Sequence, residues 1–150
     1  MFEGSIYRAF LFDNKLNITV TGIFVIPLNQ HIMRKIQHLS SCDTCQRIIK
    51  ELDLKERNFQ FQDIKTQNIS AEELDAAKEK IGSYEALFSK RAQKFRKMGL
   101  NDMQLAEADY RKYILAEYTF LKRPFIWIGD EVFVGNAKKM VEAAKAALDE

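Results

Sequence analysis

Apolar and polar positions follow regular periods along most of the chain, beginning at residue 33. Residues 33–39 form a short apolar segment of strand length. Ile48, Ile49 and Leu52 then follow Cys45 at spacings of three, four and seven, the pattern of one helix face. Residues 59–64 alternate between apolar and polar side chains, which predicts a second strand. A helix between two strands indicates a β-α-β unit with a parallel strand pair.

The middle of the chain is predicted to be helical. Ser70 and Glu73 have the spacing of a capping box, and Gly82 is a plausible stop for the helix that they begin. Its predicted apolar face consists of Leu74, Ala77 and Ile81. Further helices are predicted over residues 84–90, 92–98 and 106–118. We therefore expect a helical insert, at about residues 66–121, between two parts of a sheet.

The C-terminal part shows strand spacing again. Residues 125–128 are continuously apolar, a turn is predicted at Gly129, and residues 132–134 complete a hairpin. The last helix is indicated by four apolar residues at helical spacing, Met140, Val141, Ala144 and Leu148. The predicted order is β-α-β, helical insert, β-β-α, which is an α/β fold of the thioredoxin-like, glutaredoxin type.

Residues 1–32 differ from the rest of the chain. The apolar, β-branched stretch at residues 18–28 is too short to span a bilayer. A signal peptide is disfavoured, because acidic residues precede this stretch and no small-x-small cleavage site follows it. We therefore predict an N-terminal extension over residues 1–32, either a misassigned start or a strand-like arm, followed by one domain over residues 33–150.

Composition narrows the function classes. The chain has 150 residues, enough for one domain with a substantial core, with 47% hydrophobic and 29% charged residues. Its net charge of +2 is too small to argue for nucleic acid as a direct partner. Two cysteines in a Cys-x-x-Cys spacing suit a reducing cytosol better than a secreted disulfide framework. We expect a cytoplasmic protein without membrane attachment.

Cys42 and Cys45 lie where the first predicted strand turns into the first helix. The free amides and positive dipole end of a helix N-terminus stabilise an anion such as a thiolate. Cys42 is predicted at the start of the helix, and Cys45 one turn further on its apolar side. This division predicts an exposed nucleophile, Cys42, and a more buried resolving partner, Cys45.

A structural disulfide and a zinc site are two other possible uses of the cysteines. A structural disulfide fits poorly, because a bridge that closes so few residues constrains the unfolded chain little. A zinc site needs about four ligands, and the only histidines, His31 and His38, would have to form an unusual local clamp with the cysteines. Redox or thiolate chemistry is the favoured interpretation, and no metal is expected.

Four motifs in order give the chain a family resemblance. They are His38-x-x-x-Cys42, Cys42-Asp43-Thr44-Cys45, Ser89-Lys90-Arg91 within the insert, and Leu121-Lys122-Arg123-Pro124 before the hairpin. With them, residues 33–150 resemble the arsenate-reductase-like branch of the thioredoxin fold. This branch includes glutaredoxin-linked arsenate reductases and Spx-type redox regulators.

The resemblance implies roles for individual residues. Cys42 would be the nucleophile, and Arg91 and Arg123 would bind the oxyanion. Pro124 would be cis and face the cysteine loop, whereas Arg47 is expected to be a solvated residue of the helix face. A third family arginine would fall near Gly135 and is absent, which leaves the substrate open between arsenate, another oxyanion and a disulfide.

His38 would support the site by packing against the loop after the strand or by a hydrogen bond to it. A role as general base is less expected, because a thiolate at a helix terminus needs little help to form.

The implied function is a thiol-dependent oxidoreductase without a bound cofactor. Cys45 would resolve the adduct on Cys42, and an external thiol would restore the reduced form, with glutathione and glutaredoxin or thioredoxin as partners. The alternative is an Spx-type regulator that binds RNA polymerase. Those regulators continue past the last helix, whereas this sequence ends at Glu150, and we therefore favour the enzyme.

Overall fold

The computed structural model describes residues 33–150, and the predicted N-terminal extension over residues 1–32 lies outside the described residues. Four strands and six α-helices follow one another: β1 (Arg34–His38), α1 (Asp43–Glu51), β2 (Gln60–Asp63), α2 (Ala71–Ile81), α3 (Tyr84–Leu87), α4 (Gln93–Lys97), α5 (Glu107–Ala116), β3 (Phe125–Ile128), β4 (Glu131–Val134) and α6 (Lys138–Asp149). The predicted order of β-α-β, helical insert and β-β-α is confirmed.

The four strands form one mixed sheet in the order β2-β1-β3-β4. β1 pairs in parallel with β2 and antiparallel with β3, and β3 pairs antiparallel with β4. Ile36 in the centre of β1 lies between Phe61 of β2 and Ile126 of β3. Because β1 and β2 are parallel, their carboxyl ends meet at one edge of the sheet, next to the loop that carries the cysteines.

Two apolar clusters stabilise the domain. One joins α1 and α6 to the sheet and includes Ile36, Ile48, Ile126, Val141 and Leu148. The other joins the insert to the hairpin and includes Leu74, Leu87, Phe88, Ile114, Phe120 and Phe125. The sheet is therefore covered by α1 and α6 and by the insert.

The start and end of α2 agree with the predicted signals. The Ser70 hydroxyl accepts a hydrogen bond from the Glu73 amide at 3.2 Å, and Glu73 completes the capping box. Gly82 ends the helix in the left-handed conformation, with φ of 106°. Ile81 was predicted on the buried face, but it is 37% exposed in the last turn.

The insert contains shorter helices than the sequence predicts. The helix predicted over residues 84–90 ends at Leu87, because Phe88 forms an isolated antiparallel bridge with Leu121. The Ser89 amide donates to the Phe120 carbonyl at 2.7 Å, and the Lys122 amide donates to the Leu87 carbonyl at 2.9 Å. These bonds satisfy backbone groups that a continued helix would have used.

Strand β2 is present as predicted, but its alternation does not give its buried face. Phe61 is 38% exposed at the sheet edge, whereas Gln62 is buried. The side-chain Nε2 of Gln62 donates to the carbonyls of Gln67 and Asn68 at 2.9 and 3.0 Å. This buried donor therefore has hydrogen-bond partners. Within residues 33–150, no helix has the length and apolar character needed to cross a membrane.

Candidate active site

Cys42 occupies the N-cap position of α1. Its amide donates to the Leu39 carbonyl at 3.0 Å, which closes a turn after β1, and its carbonyl accepts from the Gln46 amide at 3.1 Å. A capping side chain normally accepts from the amides of the second or third helical residue, here Thr44 and Cys45. The Cys42 thiol makes no such capping hydrogen bond, but it stands at the N-terminal end of α1, where the helix dipole favours an anion.

Cys45 lies one turn into α1 and is fully buried. Burial raises the pKa of its thiol to about 12, and contact with Cys42 acts in the same direction. A hydrogen bond with the Leu39 backbone and, to a smaller extent, the charge of Arg123 oppose this shift in pKa. Cys42 is half-buried, and both cysteines are free thiols. The predicted contrast in exposure between the two cysteines is thus present.

A cavity of about 630 Å³ opens beside Cys42. Its walls come from the start of α1, the insert, the segment before β3 and the segment after β4, and include Cys42, Thr44, Ser89, Arg91, Lys122, Arg123, Gly135 and Asn136. The whole wall contains four cationic side chains, Lys90, Arg91, Lys122 and Arg123, and one acidic side chain, Glu85. The cavity therefore brings the predicted nucleophile together with both predicted oxyanion-binding arginines.

Arg123 lines the cavity and is partly buried. Its Nη1 atom is shielded from solvent and has no hydrogen-bond partner among residues 33–150. A guanidinium in such a wall is suited to bind carboxylate, phosphate and similar oxygen acceptors. The following peptide bond to Pro124 is cis, as the resemblance implied, and Pro124 itself is buried outside the cavity wall.

Arg91 reaches the cavity from the turn after the bridge at Phe88 and is exposed. The adjacent Lys90 is paired with Glu85 at 2.5 Å, so its charge is partly neutralised. Arg91 has no ion-pair partner among the described residues. Arg47, in contrast, is exposed on α1 and pairs with Glu51 at 3.1 Å, consistent with the expected solvated position.

His38 ends β1 and is buried, but within the described chain it does not line the cavity. Its ring lies edge-on to Phe61, with centroids 5.8 Å apart. Burial lowers the pKa of His38, although the Asp63 carboxylate and a hydrogen bond with the Leu39 backbone oppose this effect. A neutral imidazole that packs under the cysteine loop agrees with the supporting role, more than with a base in the cavity.

Gly135 has a φ of 93°, a conformation that is unfavourable for other residues. A family arginine at this position would therefore introduce backbone strain in this chain. A Cβ at this position would lie 3.9 Å from the Lys122 side chain. The cavity thus has no arginine at position 135, where the backbone favours glycine.

Several polar residues of the cavity had no role predicted from the sequence, among them Glu85, Lys122 and Asn136. Lys122 belongs to a motif that was identified, but only its neighbour Arg123 was assigned a role. The Lys122 ammonium donates to the Ala86 carbonyl at 2.9 Å and so fastens the insert beside the cavity. Among residues 33–150, no group of three His, Cys, Asp or Glu side chains is arranged to hold a metal, while His31 lies outside the described residues.

The chain is similar to a known protein family and to several solved structures. The model of the ArsC family matches residues 37–144. The YffB protein is similar in structure, with 26% identity, a TM-score of 0.66, and coverage of 77% of this chain and 98% of that one. An arsenate reductase from Vibrio cholerae gives 17% identity and a TM-score of 0.64, with 75% and 97% covered.

A third solved structure, a possible arsenate reductase from Streptococcus mutans, gives 23% identity and a TM-score of 0.61, with 71% of this chain and 92% of that one covered. No curated protein matches the chain. The two reductases are too distant in sequence to indicate more than a shared fold. The family match extends from the end of β1 into α6 and includes both cysteines and both cavity arginines.

Proposed function

Because the chain belongs to the ArsC family and shares its thioredoxin-like fold, we propose that it is a thiol-dependent oxidoreductase with Cys42 as nucleophile and Cys45 as resolving cysteine. One observation carries this proposal. Cys42 caps a helix at the wall of a cationic cavity, while Cys45 is buried one turn behind it. An accessible cysteine at a helix N-terminus next to a shielded thiol is the arrangement that thiol–disulfide exchange requires.

With a disulfide substrate, the Cys42 thiolate attacks one sulfur and forms a mixed disulfide, and the other sulfur leaves as a thiolate. The Cys45 thiol then loses its proton and attacks the Cys42 sulfur. This second attack forms the Cys42–Cys45 disulfide and releases the remaining substrate thiol. The substrate gains two electrons and two protons, which the two cysteines lose.

With an oxyanion substrate, the first bond would join the Cys42 sulfur to the central atom, with loss of one oxygen as water. Attack by Cys45 on the Cys42 sulfur would then leave the central atom reduced by two electrons. Arg91 and Arg123 line the cavity and would balance the negative charge in either reaction. The absent arginine at Gly135 favours a disulfide over arsenate as the substrate.

Two reducing equivalents from outside must restore the dithiol after each cycle. A thiol such as glutathione, with or without glutaredoxin, or thioredoxin can supply them by attack on the exposed Cys42 sulfur. In a cytoplasmic setting these thiols are abundant, and no bound cofactor enters this scheme.

Turnover of the reduced protein with 2-hydroxyethyl disulfide and, separately, with arsenate tests the proposal, when coupled to glutathione or to thioredoxin with its reductase. We expect turnover of the disulfide that depends on Cys42, and little with arsenate. Dominant arsenate turnover would reverse the substrate assignment. Absence of turnover with both substrates would contradict the enzyme.

A redox-switched regulator of the Spx type is the second candidate, because the Cys42-Asp43-Thr44-Cys45 motif matches those regulators. In that case the Cys42–Cys45 disulfide would alter a surface for RNA polymerase. Binding of RNA polymerase to the oxidised protein but not to the reduced protein, together with no turnover, would favour this candidate.

A further inference from the structure

The cysteine loop is held from outside the cavity by a carboxylate of the neighbouring strand. Asp63 is the last residue of β2, and it lies beside His38, the last residue of β1. The Asp63 carboxylate accepts a hydrogen bond from the Ser40 hydroxyl, and its Oδ2 atom also accepts from the Ser40 amide at 3.3 Å. Its other oxygen accepts from the Lys65 amide at 2.9 Å.

Ser40 stands two residues before Cys42, in the turn closed by the bond from the Cys42 amide to the Leu39 carbonyl. The Ser40 carbonyl also accepts from the Gln46 side chain at 3.3 Å, which connects the turn to α1. The loop is thus bonded on one side to β2 and on the other side to the helix that Cys42 begins.

From this network we infer that Asp63 is a positioning residue for Cys42, acting through Ser40. The inference rests on the proposed function, since it concerns the geometry of the nucleophile. Asp63 does not line the cavity within the described residues, and so it acts on the loop and not on the substrate. It fixes the turn that places Cys42 at the N-cap position of α1.

The charge of Asp63 and its hydrogen bonds have opposite consequences for Cys42. A nearby carboxylate repels a thiolate, so removal of its charge alone would favour the reactive form. Loss of its bonds to Ser40 would free the loop, and Cys42 would no longer be held at the start of α1 beside the cavity. The sign of the change in Cys42 reactivity therefore distinguishes positioning from a through-space charge effect.

The test uses iodoacetamide alkylation of Cys42 at pH 7 in the full chain carrying Cys45→Ser. We expect Asp63→Ala to slow the alkylation rate constant about tenfold, the factor of one charge-assisted hydrogen bond. Ser40→Ala, which keeps the bond from the amide, should slow it less. Asp63→Asn, which retains an oxygen acceptor, should restore most of the rate.

Asp43→Ala is the matched control, because Asp43 is an exposed carboxylate next to Cys42 that makes no side-chain hydrogen bond within the described chain. It should leave alkylation unchanged or faster. Faster alkylation in both Asp63→Ala and Asp43→Ala would show a charge effect and overturn the inference, as would unchanged rates in Asp63→Ala and Ser40→Ala.

Ser40 is exposed, so Ser40→Ala keeps the test decisive if Asp63→Ala does not fold. The unsubstituted loop provides a separate check of the proposed function. If Cys42 reacts no faster than free glutathione in the parent Cys45→Ser protein, the proposed function fails, whatever the effect of Asp63. A fast parent with an unaffected Asp63→Ala variant would overturn only the positioning role.

Discussion

Phe88 and Leu121 form an antiparallel bridge that joins the insert to the segment before β3. The bridge is short, but each of its two segments leads to one of the cavity arginines. Arg91 follows Phe88 by three residues, and Arg123 follows Leu121 by two. Both bridge residues are buried, and the Phe88 ring stacks on Phe120 with centroids 5.0 Å apart. Packing of the insert therefore sets the separation of the two arginines.

Phe88→Ala should lower the free energy of unfolding by about 3–5 kcal/mol, because it removes a large buried ring and leaves a cavity. Phe61→Ala is the matched control. Phe61 is partly exposed at the sheet edge, and its truncation should cost less than about 1 kcal/mol. Urea unfolding of both variants measures the difference. Equal costs would contradict the assignment of Phe88 to the core that holds the insert.

Arg123→Ala should weaken inhibition of turnover by sulfate or phosphate by about tenfold or more. The reason is that a hydrogen bond to a charged group contributes about 1.5–3 kcal/mol, and the Arg123 side chain lines the cavity. Arg47→Ala, which removes an exposed arginine of α1, serves as control and should leave the inhibition constant unchanged. If both variants bind these anions like the parent protein, Arg123 does not form the anion site.

Cys45 should resist alkylation in the folded protein. Burial is the largest cause that raises the pKa of Cys45, it persists when Cys42 is replaced, and it also blocks access to the sulfur. In the Cys42→Ser variant, iodoacetamide should therefore label Cys45 only after urea unfolding, as measured by intact mass. Rapid labelling of folded Cys42→Ser would show that Cys45 is accessible and would reverse the two roles.

The positions of the two cysteines in the fold were predictable, because they depend on residue spacing within one short segment. Two cysteines three positions apart, between a strand and a helical pattern, determine which one caps the helix and which one faces the core. Pro124 and Arg123 were found from a motif, and the structure adds that their neighbour Lys122 is bonded to the insert. Contacts between distant segments had no such local signal.

The bridge of Phe88 to Leu121 illustrates this limit. Residues 84–90 have helical composition, but a backbone pairing with a segment more than thirty residues away ends the helix early. Asp63 is similar, since its position at the end of a strand became informative only when that strand was known to adjoin β1. In β2, alternation would place the polar Gln62 on the exposed face. Gln62 is buried instead, because its side chain donates to carbonyls of the following turn.

The insert should contribute stability that depends on pH. Asp75 of α2 accepts from Arg111 of α5 at 2.7 and 2.8 Å and from the Tyr84 hydroxyl at 2.7 Å. Arg111 and then Tyr84 lower the pKa of Asp75 to about 2, from an ordinary value of 3.8. Because the folded state favours the ionised carboxylate, this stabilisation is complete above about pH 4 to 5 and is lost as the pH falls towards 2.

Arg111→Ala should therefore lower the Tm at pH 6 and have a smaller effect near pH 2, where Asp75 is increasingly protonated in both proteins. Arg96→Ala, which removes an exposed charge of α4 without an ion-pair partner among the described residues, should have little effect at either pH. A Tm difference between Arg111→Ala and the parent that does not depend on pH would contradict the role of this ion pair.

Intact mass after a single turnover tests the central claim most directly. The reduced protein is mixed with one equivalent of 2-hydroxyethyl disulfide and quenched with acid. We predict that the parent loses the mass of two hydrogen atoms, as the Cys42–Cys45 disulfide forms, while Cys45→Ser retains a mercaptoethanol adduct on Cys42 and Cys42→Ser remains unmodified. An adduct on Cys45 in the Cys42→Ser variant, or a parent that stays fully reduced, would contradict the assignment of Cys42 as nucleophile and Cys45 as resolving cysteine.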